Sequence, residues 1–348
     1  MLKSNYHEEK KNELIEKTRE MCSQLPPYVG RFVKSIQQNT EVRTRYEYVK
    51  DLKRFFEFLC KVSNKKTEIN SVSIEELSNL SRDFFDDYMD YLELYKVDGK
   101  EYSNGKKSIK RKMSSLRRFM TYLFKEELIN VNNIEKVETP KVKRNRQITY
   151  MDRQEAANFL NCVNKGYNLN SKMAKAYHEK LGLRDLALTT LMLYTGIRVS
   201  ECAGLDIDDV DLENSRITIF RKGGYTDNVY FSENAKEILS EYIELRERII
   251  SDSTALFLST RNDRLSVRAI EAIVTKYAKK AVPMKHITCH KLRSSYGTAL
   301  FEETGDIYLT AEVLGHKDIN TTSTFYSNLS DAHKRGAKDK VSYDTSTT

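Results

Sequence analysis

Apolar side chains recur every third or fourth residue along much of the chain, and this rhythm predicts a mostly helical protein. Residues 1–27 are polar and highly charged and predict one amphipathic helix ending at Pro26-Pro27. In EVRTRYEYVKDLKRFFEFLCKV, Val42, Tyr46, Val49, Leu52, Phe56 and Leu59 share one face of a second helix. Ser73 and Glu76 have the S-x-x-E spacing of a capping box and open a short helix. Residues 82–95 predict another helix with Asp and Glu on its wet side, and 98–105 a loop. Ile109, Met113, Leu116, Met120 and Leu123 then form the stripe of a helix over 106–124. Residues 28–131 therefore read as a small helical bundle preceded by a helical extension, 1–27.

The rhythm stops over 132–147, which is polar, contains Pro140 and carries Lys136, Lys141, Lys143, Arg144 and Arg146. This stretch reads as a basic linker. The second domain, 148–330, opens with another capping pattern, Asp152 and Glu155, on a helix over 152–163. Residues 164–181 are polar and lysine-rich and read as an inserted loop or short helix. RDLALTTLMLYTG (184–196) is a buried helix stopped by Gly196. The pattern then switches to period two: 215–220 and 227–231 alternate and flank Gly223-Gly224, a β-hairpin. LFLS (256–259) reads as a short extended piece, with helices over 233–250, 266–280, 288–303, 306–314 and 319–328, and a polar tail over 331–348. The fold class is mainly α with a small β-hairpin or sheet in the second of two domains.

Charge changes this picture at one helix. Lys106, Lys107, Lys110, Arg111, Lys112, Arg117 and Arg118 cover the non-apolar surface of 106–124, and no acid lies between Glu101 and Glu126. A solvated face ordinarily mixes signs, so a one-signed face beside a basic linker points to a polyanion. The net charge of +8 agrees but is weak alone. The five cysteines, Cys22, Cys60, Cys162, Cys202 and Cys289, form no C-x-x-C pair and read as reduced thiols. The charged N-terminus and the lack of any long apolar run predict a cytosolic protein without a membrane span.

The candidate chemistry lies between Arg198 and Tyr326. Arg198 and Glu201, and likewise His290 and Arg293, are three apart on helices and so share a face. Lys222 sits beside the hairpin turn, His316 follows Gly315, and Tyr326 lies ten residues beyond His316. Singly, each has a bland alternative: a structural ion pair, a surface pair, a solvated lysine, a packed tyrosine. Together the cationic and hydrogen-bonding groups suit a phosphate, and the phenol offers a nucleophile. Nothing here has metal-ligand spacing.

This ordered set, R-V-S-E after T-G-I, a hairpin lysine before G-G, H-K-L-R, L-G-H and then a tyrosine, resembles the tyrosine recombinase family of DNA breaking-and-rejoining enzymes. The resemblance spans essentially the whole chain. Within the family the layout is most like the Xer recombinases, in particular the single-protein, XerS-like branch, on LPPYVGRFVKSI, RKGGYTDNVYF, TALFLS and the lysine-rich insert before RDLAL. Two features depart from that pattern: a slightly longer interval from His316 to Tyr326, and Ser294 where many relatives carry His.

The resemblance implies a helical core-binding domain and a catalytic domain that clamp duplex DNA. It implies Arg198 and Arg293 on the scissile phosphate, His290 and His316 as further donors, Tyr326 as nucleophile, Lys222 as general acid and Glu201 orienting the site. Lys106, Lys107, Lys110, Arg111, Arg117, Arg118, Lys141, Lys143 and Arg144 are the expected DNA contacts. A 3′-phosphotyrosyl link stores the bond energy, so neither metal nor cofactor is implied. The expected partners are a double-stranded recombination site and further copies of the chain, as a tetramer on two sites, with room for an accessory regulatory protein. Chromosome dimer resolution is the first biological reading and integration or excision of a mobile element the alternative. A DNA-binding relative that no longer cuts, and a relaxing topoisomerase, fit the intact residue set and the small first domain less well.

Overall fold

The computed structural model describes residues 6–63, 68–97, 99–142, 149–166, 170–221 and 223–315. Contacts divide the chain into two compact units, with the division in sequence falling between Arg144 and Asn145.

The first unit holds α1 (Tyr6–Ser23), α2 (Pro27–Ser35), α3 (Val42–Val62), α4 (Ile74–Ser78), α5 (Arg82–Glu93), the strands β1 (Leu94–Val97) and β2 (Lys100–Ser103), and α6 (Lys106–Lys125). α1 lies along α3 inside this unit. The core is aromatic. Phe32 and Phe119 meet edge to face with centroids 5.3 Å apart, as do Phe55 and Tyr88 at 5.3 Å, and all four are buried. Edge-to-face contact sets the positive ring edge against a negative face and adds to the burial gain. The Ser73–Glu76 capping box forms, and Ser81 accepts from the Phe84 N–H to start α5.

The expected helix over 82–95 ends at Glu93, and part of the expected loop over 98–105 is paired strand. Leu94–Val97 runs antiparallel to Lys100–Ser103, with Tyr95 opposite Tyr102 and their rings stacked at 5.5 Å. The signal was present in the sequence. Asp-Gly between alternating residues is a sequence signal for a short hairpin turn, and Gly99 takes φ 73°, which glycine adopts without strain.

The second unit holds α7 (Arg153–Lys165), α8 (Lys172–Thr195), α9 (Val199–Gly204), β3 (Val210–Asp211), β4 (Arg216–Arg221), β5 (Tyr225–Tyr230), α10 (Glu233–Glu247), α11 (Val267–Ala281), α12 (Cys289–Thr304) and α13 (Ile307–Val313). The strands form one antiparallel sheet in the order β3-β4-β5, so the hairpin gains a third strand that the sequence pattern did not reveal. α8 is the central element, packed by α7, α10 and α12. Most of the polar insert is not a loop: α8 begins at Lys172, with Ser171 accepting from the Ala174 N–H, and runs without a break into the apolar segment. Ala, Lys, Glu, Met and Leu in KMAKAYHEKL favour helix where one face stays wet. Residues 256–259 form no strand: Leu256 and Phe257 lie in bends, and Leu258 makes one isolated antiparallel bridge with Arg264. Leu256 N–H donates to the Leu205 carbonyl and Leu265 N–H to the Phe257 carbonyl.

Inside α8, Arg184 and Asp185 are buried and solve each other's charge. The guanidinium donates to Asp185 Oδ1 at 2.6 Å and to the Leu258 carbonyl at 2.6 Å, and Tyr277 Oη donates to Asp185 Oδ2 at 3.1 Å. A buried charge is tolerated only with such complete partnering. The five cysteines are free thiols, with Cys202 and Cys289 fully buried. No helix among the described residues is long and apolar enough to cross a membrane. The expected helix over 319–328 and the tail lie outside the described residues.

Candidate active site

The site is built where α8 stops. Gly196 closes that helix at φ 63°, and a Cβ there would stand 2.5 Å from Tyr296 Cδ1. Only glycine meets both demands. The chain turns through Ile197 and restarts at Arg198, the N-cap of α9. The Arg198 N–H donates to Glu201 Oε2 at 2.7 Å, and its Nη1 donates to Glu201 Oε1 at 2.7 Å. The carboxylate of Glu201 is buried, whereas the Arg198 side chain keeps 34 % of its surface exposed. The guanidinium is fixed from the protein side while its exposed part faces outward, where an anion could reach it.

Arg293 reaches the same place from α12. Its Nη1 donates to the Gly196 carbonyl at 2.6 Å, and its Nη2 donates to the Leu314 carbonyl. Arg198 Nη2 donates to the adjacent Gly315 carbonyl at 3.1 Å. Two arginines distant in sequence thus converge on the turn that ends α13, where carbonyls carry the negative end of the helix dipole. Gly315 makes that turn at φ 61°.

His290 stands one turn before Arg293 on α12, with its ring at the surface. Its pKa is lowered from the ordinary value, first by partial desolvation and then by the positive charges of Lys291, Arg293 and Arg198. The imidazole is therefore held toward its neutral form, able to accept a proton or a hydrogen bond. Lys222, His316 and Tyr326 lie outside the described residues.

One member of the cluster was missed by the sequence reading. Arg221, at the end of β4, is 2 % exposed and donates from Nη1 toward Glu201 Oε2 at 3.5 Å. The signal was strand alternation. Ile217, Ile219 and Arg221 point the same way, so an arginine at the third inward position had to find buried acceptors.

In the first unit, the basic helix α6 splits by role. Lys106, Lys107 and Lys110 are exposed at its N-terminal end. Arg111 is turned back into a bidentate pair with buried Asp51, at 2.7 and 2.9 Å, and Ser115 Oγ donates to the same carboxylate at 2.7 Å. Lys112 Nζ lies 3.6 Å from Asp51. Arg117 donates to the Val137 carbonyl at 2.9 Å and lies 3.7 Å from Glu135. Arg118 is exposed, stacks its guanidinium 5.5 Å from the centre of the Tyr48 ring and donates to the Tyr48 hydroxyl. Lys141 is exposed, whereas Lys143 and Arg144 lie outside the described residues.

Both parts of the sequence match models of one known family. The chain belongs to the phage integrase family: residues 150–333 match its family model, and residues 24–139 match the phage integrase SAM-like domain. It is XerS-like. The tyrosine recombinase XerS of Streptococcus mutans is 30% identical over 357 residues, covering 94% of this chain and 99% of that protein. The tyrosine recombinase XerC of Actinobacillus pleuropneumoniae is 31% identical over 229 residues, 66% of this chain and 70% of that protein. Among solved structures, the XerH site-specific recombinase bound to a palindromic difH substrate has a TM-score of 0.62 at 20% identity, over 87% of this chain and 81% of that one. A lambda integrase dimer bound to a COC′ core site has a TM-score of 0.55 at 17% identity, over 85% and 96%. These two likenesses establish the fold: a SAM-like helical domain followed by a mainly helical domain with a small antiparallel sheet.

Proposed function

We propose that the chain is a site-specific recombinase that cuts and rejoins duplex DNA through a phosphotyrosyl intermediate. One observation carries the reading most directly. Arg198 and Arg293, from separate helices, bond to the neighbouring Gly315 and Leu314 carbonyls of one turn, with His290 in the field of both. Two planar cations held this way suit the two non-bridging oxygens of a phosphodiester, which a transfer reaction must stabilise as charge develops.

In this reading the Tyr326 oxygen attacks phosphorus and its proton passes to neutral His290. The bond to the 5′-oxygen breaks, and Lys222 supplies the proton that the leaving oxygen needs. Arg198, Arg293 and His316 hold the phosphate, and Glu201 orients Arg198. The 5′-hydroxyl of a partner duplex then attacks the phosphotyrosine, releases Tyr326 and gives a Holliday junction. Exchange between two sites requires four active subunits, so the working form is a tetramer on two DNA sites. Exposed Lys106, Lys107 and Lys110, with Arg118 and Lys141, supply phosphate contacts in the core-binding domain. Arg111 and Arg117 shape that surface while bonded to Asp51 and Val137. The first part of the expected linker, 132–147, packs into the first unit through buried Ile134 and Val137, and the chain passes to the second unit after it.

The near-complete coverage of XerS relatives supports chromosome dimer resolution in the cytoplasm as the biological role, ahead of the mobile-element alternative. The test uses a nicked suicide duplex carrying the site that the protein enriches from its host's fragmented DNA. The wild type forms a covalent adduct to the 3′ end and Tyr326→Phe does not. A wild-type protein that binds this site and yields no adduct refutes the reading.

A further inference from the structure

Arg221 belongs to none of the roles above, yet it is buried and bonded to four acceptors around the site. Its Nε donates to Asp227 Oδ2 at 3.0 Å on the facing strand. Nη1 reaches Glu201 Oε2 at 3.5 Å and the Leu314 carbonyl at 3.3 Å, and Nη2 donates to the Val313 carbonyl at 3.2 Å. One guanidinium therefore touches the carboxylate that fixes Arg198, the carbonyl shared with Arg293, and the helix end that leads directly into His316.

The backbone is shaped around it. A Cβ at Gly315 would lie 2.6 Å from Arg221 Cζ, so the turn before His316 passes as close to this guanidinium as a chain without a side chain allows. Glu201 also sits between two guanidiniums, with Oε1 on Arg198 and Oε2 shared between Arg221 and the Arg198 backbone. A carboxylate pinned at both oxygens has one orientation, and so has the arginine bonded to it.

We infer that Arg221 is a positioning residue for strand cleavage, which sets Arg198 through Glu201 and shares with Arg293 the carbonyl at the end of α13. The inference rests on the recombinase reading of the site. Lysine cannot replace it, because an ammonium on a flexible stem cannot span acceptors on three elements in the fixed plane of a guanidinium. Three of its four bonds go to the phosphate-holding side of the site, so its effect runs through phosphate stabilisation. The leaving-group proton, expected from the neighbouring Lys222, is a separate matter.

The experiment compares full-length wild type, Arg221→Lys and Asp227→Asn in single-turnover cleavage of the suicide duplex. Site affinity and thermal midpoint are measured alongside. A second substrate carries sulfur at the 5′-bridging position, a leaving group that needs no proton. Arg221→Lys is expected to bind the site within about twofold of wild type and to cleave at least about thirtyfold more slowly on both substrates. Asp227→Asn, at a partly exposed partner, is expected to lose about three- to tenfold in cleavage with binding unchanged. Four results overturn the inference. They are cleavage by Arg221→Lys within about threefold of wild type, restoration by the sulfur substrate, an Asp227→Asn loss outside that range, and a loss of cleavage matched by equal loss of binding or folding. The wild-type arm separates the two claims: without a wild-type adduct the recombinase reading itself falls, and this inference with it.

Discussion

Asp51 offers the sharpest test of how the core-binding domain is held together. It is a carboxylate with 2 % of its side chain exposed, on α3, and it accepts two bonds from Arg111 and one from Ser115, both on α6. Asp51→Ala removes these three hydrogen bonds, and the Lys112 ion pair, between the two longest helices of that unit. A buried pair broken at one partner costs about 3–5 kcal/mol. Here Arg111 keeps 46 % of its side chain exposed, so its freed guanidinium can rehydrate and the lower end applies. Ser115 retains the Arg111 carbonyl at 3.3 Å, which limits its own loss. The expected destabilisation is about 3 kcal/mol, and Asp51→Asn, which still accepts from one or two donors, should lose about half of that. Urea unfolding of the full chain measures both, through a lowered midpoint at unchanged slope for the transition of the first unit. An Asp51→Ala protein within about 0.5 kcal/mol of wild type would refute the view that this pair ties α3 to α6.

Three further outcomes follow from the same geometry. Removing Lys106, Lys107 and Lys110 together should reduce the slope of log affinity against log salt by about 2.7 if each neutralises one phosphate, with folding stability changed by less than about 0.5 kcal/mol. Arg111→Ala should instead lower stability, and the opposite pattern would reverse the two assignments. Gly196→Ala forces a left-handed backbone on alanine and drives its Cβ into Tyr296, so a loss of about 1–3 kcal/mol or more is expected in thermal melting, together with slower cleavage because the Gly196 carbonyl anchors Arg293. His290 should titrate in the free protein below its ordinary value, and Arg198→Ala should raise the midpoint only part way, because desolvation is the larger cause. Its folded pKa lies below the unfolded one, so its contribution to stability is present above the unfolded value of about 6.5 and is lost as pH falls through the lowered folded pKa. An NMR titration unmoved by Arg198→Ala would place that charge too far away to matter.

Much of this protein was legible in its sequence because the relevant signals are local. Helix periodicity predicted α3, α6 and the apolar half of α8, and two capping boxes placed the starts of α4 and α7 within a residue. Three-residue spacing put Arg198 with Glu201 and His290 with Arg293, since that spacing alone makes side chains share a helical face. What periodicity could not supply was any fact that depends on which elements meet. The one-signed face of α6 looked uniform along the chain. Only the packing of α3 beneath it turned Arg111 inward to Asp51 and left three lysines outside. Arg198 and Arg293 are nearly a hundred residues apart, and their convergence on the end of α13 follows from how α8, α9 and α12 pack around one glycine turn. Arg221 is the clearest case. Alternation could have said that it points inward, but the two carboxylates and two carbonyls that accept from it come from three other places in the fold. The sequence by itself determined the elements and the chemical groups. The tertiary structure decided which of those groups share one small volume, because low-dielectric burial makes an arginine choose fixed partners where water would have satisfied it anywhere.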